Sequence, residues 1–438
     1  YLADGLTESL INSLSQLSGL EVRPRNSVFR YKKTDTDPLV AGRELDVQAV
    51  LTAQIAHHED EIAINLQLID VRGNRQLWGM RRQHKRWNIL EVQEAIARDA
   101  WESLRLRLSS AEEKQLAKRP TNQHEAFYAY WKGRYYWNKR NAKDFEQATH
   151  FYNQAIAIDP GYALAWSGLA DCYLSRAAYG ITPKEEGFSK AKAAAKRALV
   201  LDDSLAEAHT SLANIIWLHD WNRVEAENEF KRAIALNPKY ATAHQWYALY
   251  LSALGRHEEA LAEINLASKH DPLSVIIEID KARVFFFARL YDQAIAQSLK
   301  VIAENPDFQS FNQWLRLSYE QKGLYDKAFE EAVKIQRIRG ATPESLAEIQ
   351  QVYDISGWKG YWGLLRERVE KGEARSRLSP YFIAGIYARF GDRDRAMKWL
   401  RVAYDKRADL LVTVKADPVF DNLHSDQRFT ELLRQLGF

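Results

Sequence analysis

Residues 226–272 read AENEFKRAIALNPKYATAHQWYALYLSALGRHEEALAEINLASKHDP. Ala226 and Ala260 stand 34 residues apart, and so do Pro238 and Pro272. Outward from this stretch, Ala294, Ala328 and Pro306 keep the same step. A fixed period of this length, with one turn residue per period, is the pattern of stacked helical hairpins that bury their apolar faces only against neighbours. The period predicts a mainly α, right-handed helical-hairpin solenoid of about eight repeats over residues 124–415. A small amino-terminal α/β domain precedes it.

Small residues recur where the two helices of a hairpin must cross. Gly133, Ala170, Ala213, Ala248, Ala282 and Ala384 fall in first helices. Ala148, Ala191, Ala226, Ala260, Ala294, Ala328 and Ala396 fall at the matching place in second helices. Backbones that approach this closely leave room for about a methyl group. Arg316 breaks the series in the sixth repeat, and residues 343–372 form a hairpin with a poor match. Trp166-Ser-Gly-Leu169-Ala170-Asp-Cys-Tyr173 resembles the tetratricopeptide (TPR) pattern W-x₂-L-G-x₂-Y, with Ala in place of Gly.

Residues 1–108 mix two periods. Leu6, Leu10, Ile11, Leu14 and Leu17 have helical spacing, closed by Gly19. Leu20–Val22 reads as a short strand and Pro38–Leu45 as a second helix. Val47–Ala56, Ile62–Val71 and Arg75–Gln83 read as strands of an antiparallel meander, with alternation clear in Ile62, Ile64, Leu66 and Leu68. Ile89–Leu108 returns to helical period. Residues 109–123 are polar and read as a linker, and residues 416–438 carry their own apolar spacing, expected of a terminal helix capping the solenoid.

The hydrophobic fraction of 46% and charged fraction of 27% belong to a globular chain, and a net charge of +3 implies neither nucleic acid nor an anionic membrane as partner. The single cysteine, Cys172, excludes an internal disulfide and a multi-thiolate zinc site. No apolar run is long enough to span a bilayer. The chain begins at Tyr1 without Met, as a processed product or a part of something longer would.

Chemistry-bearing motifs are sparse. No P-loop, G-x-G-x-x-G or G-x-S-x-G is present. Gly357, Gly360 and Gly363 alternate with Trp358, Tyr361 and Trp362, which reads as helix packing rather than a phosphate cradle. His57-His58-Glu59-Asp60 reads as a solvated hairpin tip, because adjacent strand positions point apart and chelate one ion poorly. Ser189 and Lys192 match S-x-x-K with no supporting partner motif. Cys172 sits in an apolar helix, where a buried, inert thiol is expected. The chain is therefore read as non-enzymatic, with no cofactor and no metal.

The amino-terminal stretches YLADGLTESLINSLSQLSGLEVRPRNSVFRYK, RELDVQAVLTAQI, LQLIDVRGNRQLW and LEVQEAIARDA resemble the TolB amino-terminal-like domain. Together with the repeats and the tail DPVFDNLHSDQRFTELLRQLGF, the chain resembles the carboxy-terminal half of bacterial signalling proteins. In those, a winged-helix DNA-binding, Ser/Thr kinase or nucleotide cyclase domain comes first. That resemblance implies a bacterial sensory module and leaves its compartment, cytoplasmic or extracytoplasmic, open.

In TPR arrays the first helices line a concave face. By register this face comprises Tyr130, Arg134, Trp137, Asn138, Asp171, Asn214, Trp217, Gln245, Arg283, Phe286, Phe287, Gln313 and Glu320. Aromatic, Arg and amide side chains suit a protein or peptide ligand. The leading expectation is a protein–protein interaction module. The alternative is a self-assembling subunit that forms filaments or tubes by head-to-tail contacts or by strand addition at the sheet edges of residues 47–83.

Overall fold

The computed structural model describes residues 7, 10–11, 14, 19–23, 25–32, 36–58, 61–85, 96, 120–139, 141–272, 274–305, 313–373 and 378–438. Most of the Leu6–Leu17 and Ile89–Leu108 helices, most of the linker, the hairpin tip at Glu59-Asp60 and Pro306 lie outside these residues.

Among the described residues, the amino-terminal region contains two short helices, α1 (Arg25–Phe29) and α2 (Pro38–Glu44), and three strands, β1 (Ala49–His58), β2 (Glu61–Asp70) and β3 (Arg75–Lys85). The sheet is antiparallel in order β1-β2-β3, with Leu51 opposite Leu68 and Leu66 opposite Met80. Ile64, Leu66 and Leu68 are buried, the first two in a small core with Leu10 and Ile96, so the alternating pattern does face one side. Three details differ from the reading above. His57 and His58 extend β1 opposite Ile62 and Glu61 and do not belong to the turn. Leu20–Val22 forms no strand: three residues are short for a strand, and Arg23 is tied instead by its side chain to the carbonyls of Leu45 and Asp46. Helix α1 carried no amphipathic signal, being a single turn and a half.

Beyond residue 120 the chain is a helical-hairpin solenoid. The hairpins are α3 (His124–Trp137) with α4 (Ala142–Ile158), α5 (Ala163–Ala178) with α6 (Lys184–Leu201), and α7 (Ala206–Ile215) with α8 (Arg223–Leu236). Next come α9 (Ala241–Ala253) with α10 (His257–His270), α11 (Val275–Phe287) with α12 (Tyr291–Glu304), and α13 (Gln313–Gln321) with α14 (Tyr325–Ile338). The long α15 (Pro343–Glu370) is two helices joined without a loop, because Gly357 takes φ 58° and ψ −153°. Only glycine adopts that conformation cheaply, which explains why residues 343–372 matched the repeat poorly. The last hairpin, α16 (Pro380–Arg389) with α17 (Arg393–Asp405), leads through two 3₁₀ turns, Asp409–Thr413 and Pro418–Leu423, into α18 (Gln427–Gln435).

The chain divides into two compact units. The first is Tyr1–Ile215, Asn228–Tyr240 and His270–Pro272; the second is Ile216–Glu227, Ala241–Lys269 and Leu273–Phe438. In both, the alanine series is fully buried: Ala148, Ala170, Ala191 and Ala213 in the first, and Ala248, Ala260, Ala294, Ala328, Ala384 and Ala396 in the second. At the first crossings glycine is required, since a Cβ at Gly168 would sit 2.4 Å from the Tyr152 ring.

A polar clamp recurs in successive repeats, at steps of 34 or 35 residues. His209 Nδ1 meets Glu229 Oε2 at 2.5 Å, and in the second unit His244 Nδ1 meets Glu263 Oε2 at 2.6 Å. One repeat on, Glu278 accepts from Gln297 Nε2 at 2.7 Å. His209 is satisfied on both sides by acceptors, because its Nε2 lies 2.9 Å from the Asp203 carbonyl. Both ring nitrogens must donate, so this geometry selects the imidazolium. Burial and the Arg232 charge oppose that charge. The bonds to Glu229 and Asp203, with the Glu229 charge, outweigh them and raise the His209 pKa.

Two outcomes follow for stability. Because the folded His209 holds its proton more tightly than the unfolded residue, near pH 6.5, its contribution is full below that value and fades as pH rises through the folded pKa. Urea unfolding from pH 5.5 to 8.5 checks this, with His209→Gln expected to flatten the upper part of the profile. Gly168→Ala is expected to cost about 1–3 kcal/mol against the fixed Tyr152 ring. Gly363→Ala, with open space around it, is expected to gain about 0.5–1 kcal/mol. Equal signs in urea titrations of the two variants would contradict the packing account.

Candidate functional site

Of the thirteen residues placed on the first-helix face by register, eight are buried: Tyr130, Trp137, Asp171, Asn214, Trp217, Gln245, Phe286 and Phe287. Arg134, Asn138, Arg283, Gln313 and Glu320 are half-buried, and none is fully exposed.

In the first unit, α3, α5 and α7 bring a polar row together. Arg134 lies 4.9 Å over the Trp137 ring, and its Nη1 is 3.9 Å from Asp171 Oδ2. Trp137 Nε1 donates to Ser175 Oγ at 3.2 Å, and Ser211 Oγ donates to Asp171. Glu207 stands one turn before Ser211; burial raises its carboxyl pKa, with the Arg134 charge opposing and Asp202 adding to the rise. Asn214 continues the same face of α7. Asn138 ends α3, its N–H bonded to the Arg134 carbonyl. Its Nδ2 is buried with no acceptor among the described residues. Tyr130 does not line an open surface: its ring packs between Trp131, Tyr152 and Tyr162 at 5.1–5.9 Å.

In the second unit the aromatics are core. Trp217 packs edge-on to Tyr250 at 5.8 Å within a π-helical turn, Ile216–Asp220. Phe286 and Phe287 both pack on Trp314, at 5.6 and 5.7 Å. A long aromatic side chain buries more area against a neighbouring hairpin than an open face would give it, and periodicity cannot separate the two. The polar residues are paired. Gln245 Nε2 donates to Asp280 Oδ2 at 2.6 Å. Arg283 lies over Trp314 and Phe287 at 5.4 and 5.8 Å, and burial lowers its pKa against the charges of Asp280 and Asp417. Gln313 opens α13, half-buried. Glu320, with its side chain 10% exposed, accepts two bonds from Arg389 at 2.6 and 2.9 Å and one each from Arg316 and Trp358 at 3.3 Å. Burial pushes the Glu320 carboxyl up, but the charges and bonds of Arg389 and the Arg316 charge leave it below its ordinary value.

Register reasoning missed Glu207, Asp280 and Arg389. The first two sit on the same helix faces as Ser211 and Arg283, so a wider count along each helix would have found them. Arg389 is 69 residues from Glu320, and no local signal links them. No group of three metal-ligating side chains occurs among the described residues, and no helix there is long and apolar enough to cross a membrane. Cys172 is buried, its Sγ bonded to the Phe145 carbonyl at 3.2 Å. The face offers ion pairs and hydrogen bonds.

Comparison with known proteins agrees with the repeat. Residues 229–262 match the tetratricopeptide repeat family. The chain is 31% identical over 229 residues to "Putative adenylate cyclase 3" of Rhizobium meliloti (strain 1021), covering 51% of this chain and 39% of that protein. It is 25% identical over 299 residues to the transcriptional regulator HilA of Salmonella typhimurium, covering 67% and 52%. The chain thus spans about half or less of the length of these curated relatives. Among solved structures, a human IFIT1 dimer with PPP-AAAA aligns over 73% of this chain and 79% of its own, at 14% identity and TM-score 0.43. A thermophilic TPR protein of Thermus thermophilus aligns over 45% and 99%, at 18% identity and TM-score 0.37.

Removing the carboxylate in Glu320→Gln is expected to cost about 3–5 kcal/mol, because Arg316 and Arg389 remain buried without their counter-charge. Since the folded carboxyl titrates below the unfolded value near 4.3, wild-type stability from this group is present above that value. It declines as pH falls through the folded pKa. Urea titrations of both proteins at pH 7 and pH 4 check the size and the direction.

Proposed function

We propose that the chain is a non-catalytic interaction module that holds a protein or peptide partner on the first-helix face of its TPR array. The observation that carries this reading is the row of charged and amide side chains on successive first helices, Arg134, Asp171 and Asn138 on α3 and α5, with Glu207 on α7. Polar groups fixed in place by one another recognise a partner with little ordering cost.

The finer reading is that the amino-terminal α/β region is a TolB-like domain and that the whole serves as the sensory half of a longer bacterial signalling protein. The lengths and names of the curated relatives, a cyclase and a transcriptional regulator, support it. The effector would then lie outside the matched segment, and the partner's state would reach it through this module.

Placing a photo-crosslinking amino acid at Asn138 or Asn214 in the first unit, and separately at the outward Glu146 or Lys192, tests the face. Inner positions are expected to capture one defined partner, identified by mass spectrometry, that outer positions do not. Equal capture from both sets would move the site off the first helices.

A further inference from the structure

We infer that the first-helix face of the second unit is closed in cis, and that its ligand is the chain's own segment Asp409–Leu423, held by its aspartates. This stands on contacts within that unit and does not depend on the interaction reading. Its effect on that reading is to leave this part of the array unavailable to an outside partner.

The segment runs where a groove ligand would. The 3₁₀ turn Asp409–Thr413 packs on α9 and on the π-helical turn Ile216–Asp220. Ala416 joins the core formed by Ile279, Phe286, Phe287 and Trp314, the inward side chains of α11 and α13. Asp417 accepts from Tyr381 Oη at 2.7 Å and from its own turn at Val419 N. Burial raises the Asp417 carboxyl pKa, opposed by the Tyr381 and Val419 bonds and by the charges of Arg389 and Arg289. Asp421 pairs with Arg289 at 2.7 Å. Between the two aspartates, Phe420 is fully buried, edge-on to Tyr381 at 5.1 Å. Asn422 Nδ2 donates to the Ala388 carbonyl at 2.7 Å. The approach is tight at Gly385, where a Cβ would meet Arg389 Nη1 at 3.2 Å and Val419 Cγ1 at 3.3 Å.

The chemistry recognised is therefore an acidic segment of the form Asp-Pro-x-Phe-Asp, with Asp421 paired to Arg289, Asp417 bonded to Tyr381 and the Phe420 ring buried against Tyr381. Leu411, Val414, Phe420 and Leu423 have no exposed surface, so release would uncover core, and the segment is a built-in plug and not an exchangeable lid.

Hydrogen exchange on the intact chain reads this directly. Amides of residues 409–423 are expected to be protected to within about tenfold of those in α11 and α16. Exchange about a hundredfold faster than those helices would show a segment that opens by itself and would overturn the closed groove. A labelled peptide of residues 409–423 is expected not to bind the intact chain; saturable binding would likewise overturn it. Asp417→Asn keeps size but removes the charge and leaves one acceptor oxygen where the carboxylate uses two, for Tyr381 Oη and Val419 N. Faster exchange confined to residues 409–423, with α11 and α16 unchanged, is the expected result. No local change would refute recognition through the aspartate.

Discussion

Everything in the array depends on how closely paired helices cross. A fully buried methyl group, or at the first crossings no side chain at all, sets the distance between backbones in hairpin after hairpin. That distance fixes which residues can reach one another between the two helices. The clamp formed by His209 with Glu229, repeated by His244 with Glu263, needs both the register and the spacing. A bulkier residue at an alanine position would lift the clamp apart before it disturbed anything on the surface. Arg316 shows what happens when the rule is broken: its guanidinium is drawn over the Trp362 ring and paired with Glu320.

Charges on the first-helix faces are handled by pairing rather than by water. Arg134 with Asp171 and Arg389 with Glu320 lie mostly out of solvent, where desolvation offsets much of the attraction. Such pairs add little net stability compared with apolar packing, but they are costly to mismatch. They hold specific neighbouring helices in specific rotations, which periodic apolar contacts alone would leave loosely defined.

The architecture was legible because one spacing repeats and because alanine and proline have few other reasons to recur at it. The sheet was legible from Ile64, Leu66 and Leu68. The faces of the first helices were legible, but not what lies on them: Phe286 and Trp217 occupy the expected helix positions, yet are buried. Periodicity reports direction and says nothing of a segment arriving from more than a hundred residues away, as Asp421 does at Arg289. The kink at Gly357 was hidden for a different reason, since three glycines in a helical pattern do not reveal which one leaves the helix.

The end of the chain is fastened to the start of the second unit. Phe438 lies under the Arg223 guanidinium at 4.4 Å, and Arg407, stacked on Trp221, donates to the His219 carbonyl across 188 residues of sequence. Repeat arrays with neighbour-only contacts can fray from an end, one hairpin at a time. Here the last residues hold the π-helical turn and the start of α8. The second unit therefore loses the one-dimensional character of a repeat protein. It gains contacts of high sequence separation, which slow folding.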